Sequence, residues 1–188
     1  MEKILNGYFF NPTKGNLKID GVIGEVINYI SEKPEKFYDI IVGCDSSSEE
    51  EPHFPVALVV LRVGEGGRFF LKRVAYKGRR FFSWKQRVLE EVFLSCQLAL
   101  CLKEIIEREI KNRAPQQRGK GGKENEVLFD NQKENPHYQF RYIHADVGEN
   151  GQTKDMIKEV TGLIKGNGFE PKIKPESFVA STVADRYS

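Results

Sequence analysis

Cysteine and histidine are scarce, at three each in 188 residues. Cys44, Cys96 and Cys101 are odd in number and show no paired metal-type spacing. That excludes a disulfide framework and fits a reducing compartment. His53, His137 and His144 form no HExxH or related pattern, which removes the common zinc-enzyme chemistries. No apolar run approaches the roughly 20 residues that a membrane span requires. The opening Met1-Glu2-Lys3-Ile4-Leu5-Asn6 has no apolar core or small-residue cleavage site, so a cytoplasmic protein is expected. An excess of one charge is missing too: 29 Lys and Arg face 27 Asp and Glu, a net +2 that selects no nucleic-acid partner by itself.

What is present describes a globular protein: 39% hydrophobic and 30% charged residues in a chain long enough for one sizeable core. A single domain over 1–188 is expected, with an N-terminal helical extension (about 1–36) and a polar insertion (about 112–136). Val22, Ile23, Val26, Ile27 and Ile30 recur at helical spacing, predicting a helix over 19–30. Tyr38 to Asp45 is apolar on both faces, as in a central strand. Phe54–Val63 and Arg68–Tyr76 flank Gly64-Glu65-Gly66-Gly67 and read as a hairpin. Ser83-Trp84-Lys85-Gln86 fits a capping box opening a long helix with Val88, Leu89, Val92, Phe93, Cys96, Ala99 and Leu100 as its apolar stripe. Gln116 to Lys123 is polar and glycine-rich, as in an inserted linker. A strand ending at Asp146, a helix from about Thr153, a short strand over Phe169–Lys174 and a last helix capped by Ser177 complete the chain.

Two acids close the apolar strands, Asp45 and Asp146. A carboxylate at the end of a buried strand is costly unless something pairs with it, and a divalent cation is the simplest partner. If the two strands are adjacent and parallel, about 4.8 Å separates them, and the carboxylates repel unless a cation bridges them. Asp185 on the last helix and a glutamate on the long helix can reach the same point; helix phase alone does not separate Glu90 from Glu91. Magnesium or manganese suits such oxygen ligands, and two ions about 4 Å apart would activate a water and stabilise the leaving oxygen of a phosphodiester.

After the leading helix the elements run strand, strand, strand, helix, strand, helix, strand, helix. That is the ribonuclease-H order: an α/β fold with a mixed five-stranded sheet, a three-stranded antiparallel meander plus two parallel strands, flanked by helices. Ile40-Ile41-Val42-Gly43-Cys44-Asp45-Ser46, Ile143-His144-Ala145-Asp146-Val147-Gly148 and Lys172-Ile173-Lys174-Pro175-Glu176-Ser177 resemble the YkuK family of ribonuclease-H-like bacterial proteins. Ala180-Ser181, Ala184-Asp185-Arg186-Tyr187 and Asn11-Pro12-Thr13 are similar to it as well. The resemblance covers most of the chain outside 112–136. It implies the fold and a two-metal nuclease site of Asp45, Glu91, Asp146 and Asp185, and it favours Glu91 over Glu90.

Lys77 to Arg87 holds five basic residues and no acidic one. Arg79, Arg80, Lys85 and Arg87 are candidates to neutralise phosphates, and Trp84 to stack on a base or sugar. The expected activity is magnesium- or manganese-dependent hydrolysis of RNA, an RNA–DNA hybrid or another structured nucleic acid. A catalytically inactive nucleic-acid-binding module of the same fold is the first alternative. An ATP-binding phosphotransferase-like protein, from the loose likeness of Asp146-Val147-Gly148 with Gly151 and Thr153 to a phosphate-binding turn, is the second.

Overall fold

The computed structural model describes residues 2–113 and 137–187. The polar insertion expected at about 112–136 lies outside the described residues except for the end of the long helix. One mixed seven-stranded sheet runs through the molecule in the order β2-β1-β5-β4-β3-β6-β7. Its strands are β1 (Phe9–Asn11), β2 (Gly15–Leu17), β3 (Tyr38–Cys44), β4 (His53–Arg62), β5 (Gly66–Ala75), β6 (Tyr138–Ala145) and β7 (Glu170–Lys172). The β3-β4-β5 meander is antiparallel, and β6 and β7 add in parallel beside β3. Gly64 and Gly66 take positive φ (82° and 100°) in the turn from β4 to β5, which side-chain-bearing residues resist.

Helices α1 (Ile19–Glu32), α2 (Trp84–Arg113) and α3 (Ile157–Gly166) cover one face. Alternation along β3 sends Tyr38, Ile40, Val42 and Cys44 to that side, against Val26 and Ile27 of α1, Leu98 and Leu102 of α2 and Val160 of α3. Each fully enclosed large side chain there contributes about 1.5–3 kcal/mol.

The opposite face carries a smaller cluster of Ile41, Ala57, Val59 and Leu71 beneath Val179 and Ala184. Its cover is the C-terminal segment, a π-type turn over Val179–Ala184 followed by a 3₁₀ turn over Asp185–Tyr187. Gly43 permits the close approach: a Cβ there would sit 2.9 Å from the Ala180 amide nitrogen. His144 anchors the turn from β6, its Nδ1 accepting from the Val179 amide at 3.2 Å. Burial, with help from Lys172, pushes His144 down to about 4, so its Nδ1 stays a neutral acceptor.

Three expectations are corrected. The sheet has seven strands because the segment ahead of α1 forms a hairpin; β1 and β2 are each three residues long, too short to show a strand period. Asn11 closes that hairpin, its Oδ1 accepting from Thr13 and Lys14 amides at 3.0 and 2.9 Å while its Nδ2 donates to the Phe69 carbonyl. The last helix is wide and short, not a regular α-helix. The Ser83 Oγ accepts from the Lys85 amide and not from Gln86, so the capping box does not form.

Candidate metal and active site

β3 and β6 are adjacent and parallel, with Gly43 opposite His144 and Cys44 opposite Ala145. One step further, Asp45 and Asp146 leave the sheet side by side, where both strands end and their backbone no longer pairs. The Ser46 amide donates to Asp45 Oδ1 at 2.9 Å and fixes the bend. From the helical side, α2 brings up Glu91, which is only 7% exposed. Its Oε1 accepts from the Ser46 hydroxyl at 2.5 Å, tying helix to strand end. From the other side the C-terminal turn brings Asp185, exposed and within hydrogen-bonding reach of Asp45.

The electrostatics show that these carboxylates share one neighbourhood. Burial pushes Asp45 up to about 7, reinforced by Asp146 and Asp185, while the Ser46 amide opposes the rise. Burial pushes Glu91 up to about 8; Asp45 and Asp146 add to it, and the Ser46 hydroxyl and Arg87 pull it back. Glu90, one residue earlier, belongs elsewhere: it accepts from the Tyr76 hydroxyl and, at 3.0 Å, from Arg79.

Asp146 is divided. Its Oδ2 lies 2.8 Å from Lys174 Nζ, whose side chain is half exposed. Its Oδ1 is buried with no hydrogen-bond partner, as are the Oγ of Ser47, just past the end of β3, and the Oγ of Ser177, which therefore does not cap the last helix. An orphaned carboxylate oxygen beside other acids is a cost that a hard cation relieves, so the donor set fits magnesium or manganese. Among the described residues, however, no three His, Cys, Asp or Glu side chains are close enough to form a coordination shell as they stand. Lys174 provides the positive charge beside Asp146. A cavity of about 610 Å³ opens next to it, lined by Gly148, Asn150, Lys172, Lys174 and Glu176 among others. The turn beyond Asp146 is internally bonded, the Gly148 amide donating to Thr153 Oγ1 at 3.2 Å.

The basic stretch is largely answered from within the protein. Arg79 pairs with Glu90 at 3.0 Å and lies over the Tyr76 and Phe81 rings. Arg80 stands 3.8 and 3.9 Å from Glu50 and Glu51. Lys85 sits over the half-buried Trp84 ring. Of the five candidates for phosphate or base contact, Arg87 acts on the acid cluster through Glu91. Sequence reasoning missed Ser46 and Lys174. Ser46 directly follows Asp45 and Lys174 lies just past β7, but their partners are assigned only once α2 meets the end of β3 and β7 pairs with β6.

No described helix is long and apolar enough to cross a membrane. A family model described as Ribonuclease H-like matches residues 21–188. An uncharacterized protein, YkuK, of Bacillus subtilis (strain 168) is 26% identical over 181 residues, which is 96% of each chain. No solved structure matches the chain.

Proposed function

The chain belongs to the ribonuclease H-like family, and on that premise we propose that it hydrolyses phosphodiester bonds of nucleic acid at the ends of β3 and β6. The reading rests on one observation: the buried, unpartnered Oδ1 of Asp146 beside Asp45, in surroundings that raise both Asp45 and Glu91. Asp45, Glu91, Asp146 and Asp185 would hold magnesium or manganese. When bound, such an ion supplies Lewis-acid stabilisation of phosphoryl oxygens and a more acidic water.

The chain's own residues have separate tasks. Ser46 holds the Glu91 carboxyl against the strand end. His144 and Gly43 hold down the turn that carries Asp185. Lys174, half exposed at the mouth of the 610 Å³ cavity, is placed to meet a substrate phosphate. Asp45→Asn or Asp146→Asn should abolish magnesium-dependent cleavage of RNA, RNA–DNA hybrid and DNA substrates while circular dichroism stays unchanged. Cleavage surviving in both variants would remove the proposal.

The ion pair between Lys174 and Asp146 favours a second reading, a nucleic-acid-binding module in which the lysine is the resident cation. It requires that no substrate class be cleaved and that Asp45→Asn leave nucleic-acid affinity unchanged.

A further inference from the structure

Among the described residues, the face of the sheet opposite the helices is covered only in part. Beyond the C-terminal turn, β1 and β5 present a cavity of about 400 Å³ lined by Tyr8, Phe10, Asn16, Leu71, Arg73 and Tyr187, none of them acidic. Tyr8 is 59% and Phe10 38% exposed, high values for large rings in a chain with an ample core. The Tyr187 ring bridges Phe10 and Phe69, with centroids 6.0 and 5.8 Å away and both pairs tilted near 50°. The rings form an open aromatic floor.

Arg73 supplies its charge. The side chain is exposed and its Nη2 donates to the Tyr187 carbonyl at 3.1 Å. Among the described residues no carboxylate is paired with it, whereas Arg79 and Arg80 both face glutamates. Register ties this cation to the acids. Cys44 lies opposite Val56 and Pro55 opposite Arg73, so Asp45, Pro55 and Arg73 stand in one cross-strand row. Asp45 and Arg73 lie on the same side of the sheet as Gly43 and Leu71. Two strand spacings, about 10 Å, separate their backbones. Asp185 and Tyr187 belong to the same 3₁₀ turn, so one short element reaches both the acid cluster and the aromatic floor.

We propose that this surface is a stacking subsite for single-stranded nucleic acid, with the strand passing from the acid cluster over Arg73 and seating a base against Tyr8 and Phe10. The proposal rests on the nuclease reading and names its substrate class. An exposed ring can be stacked only by a base already free of its neighbours, which single strands offer and duplexes do not. A lone cation on an acid-free floor complements one phosphate of the same strand. The cavity volume suits a small planar ligand.

Fluorescence anisotropy of the full chain with labelled single-stranded RNA and DNA of about 12 nucleotides, and with a duplex of the same sequence, tests the idea in EDTA, where cleavage cannot compete. Single strands should bind more tightly than the duplex. Tyr8→Ala should weaken single-strand binding about 5-fold or more and Tyr8→Trp should restore it, since base–aromatic stacking is sensitive to the ring and not to the hydroxyl. Tyr8 is exposed, so its truncation leaves the fold intact. Unchanged affinity in Tyr8→Ala, preference for the duplex, or no single-strand binding by the wild type would each overturn the proposal. So would a wild-type dimer that Tyr8→Ala converts to monomer, which would assign the face to a second copy of the chain. Because binding is read without turnover, loss of stacking and loss of catalysis are distinguishable. A chain that binds through Tyr8 but cleaves nothing would sink only the nuclease reading.

Discussion

The two faces of the sheet are built on different terms. Between the sheet and its helices lie the fully buried Leu58 of β4, Ile27 of α1 and Leu98, Leu102 and Ile106 of α2. Against the C-terminal turn lie a few small or medium side chains, Ala57, Val59 and Leu71, and beyond them exposed rings and an exposed arginine. The helical side carries the folding energy through apolar burial. That surplus lets the strand ends hold acids whose charge is unfavourable in the fold, and lets the other face keep aromatic surface open. The same contrast separates two cationic regions: Arg79 and Arg80 of the basic stretch are matched by Glu50, Glu51 and Glu90, while among the described residues Arg73 is met by a backbone carbonyl and by no carboxylate.

The largest effect expected from this difference is on stability. Leu98→Ala, in the enclosed helical core, should cost about 3–5 kcal/mol, and Leu71→Ala, beneath a single turn able to settle into the gap, about 2 kcal/mol. Urea denaturation measures both, and equal losses would mean that the two faces contribute alike.

A smaller effect concerns pH. Glu91 is raised from the ordinary 4.5 to about 8, so the folded state keeps a proton that the unfolded chain releases. Its contribution is fully present below about 4.5 and is lost as pH rises through about 8. Metal-free protein should therefore lose stability across that window, by at most a few kcal/mol from this group. Glu91→Gln should flatten the profile, leaving the shallower fall that Asp45 causes in the same direction as pH rises toward 7. A wild-type profile rising over that window would show that the carboxyl is not held neutral.

The smallest effect belongs to the compensated cations. Arg79→Ala with Arg80→Ala should change single-strand affinity by less than about 2-fold, because their glutamate partners already screen them. A larger loss would return the basic stretch to the nucleic-acid surface.

Asp45 and Asp146 were legible because each closes an apolar strand, and the element order already implied that the two strands are neighbours. Glu91 was not separable from Glu90 by helix phase; the Tyr76 and Arg79 contacts that remove Glu90 depend on how β5 meets α2. The hairpin of β1 and β2 stayed hidden because three-residue strands carry no period. The charge of Lys77 to Arg87 looked free because Glu50 and Glu51 lie far back in the chain. The aromatic floor was invisible for the same reason: Tyr8 and Phe10 meet Tyr187 only across the whole length of the sequence. Local pattern reports what a residue is, and only topology reports what answers it.

Titration calorimetry with manganese reaches the central proposal most directly, that the carboxylates at the ends of β3 and β6 jointly take up a divalent cation. The wild-type chain should bind, and Asp45→Asn and Asp146→Asn should each weaken binding by about 10-fold or more while remaining folded. Equal binding by all three proteins, or none by the wild type at millimolar manganese, would contradict it.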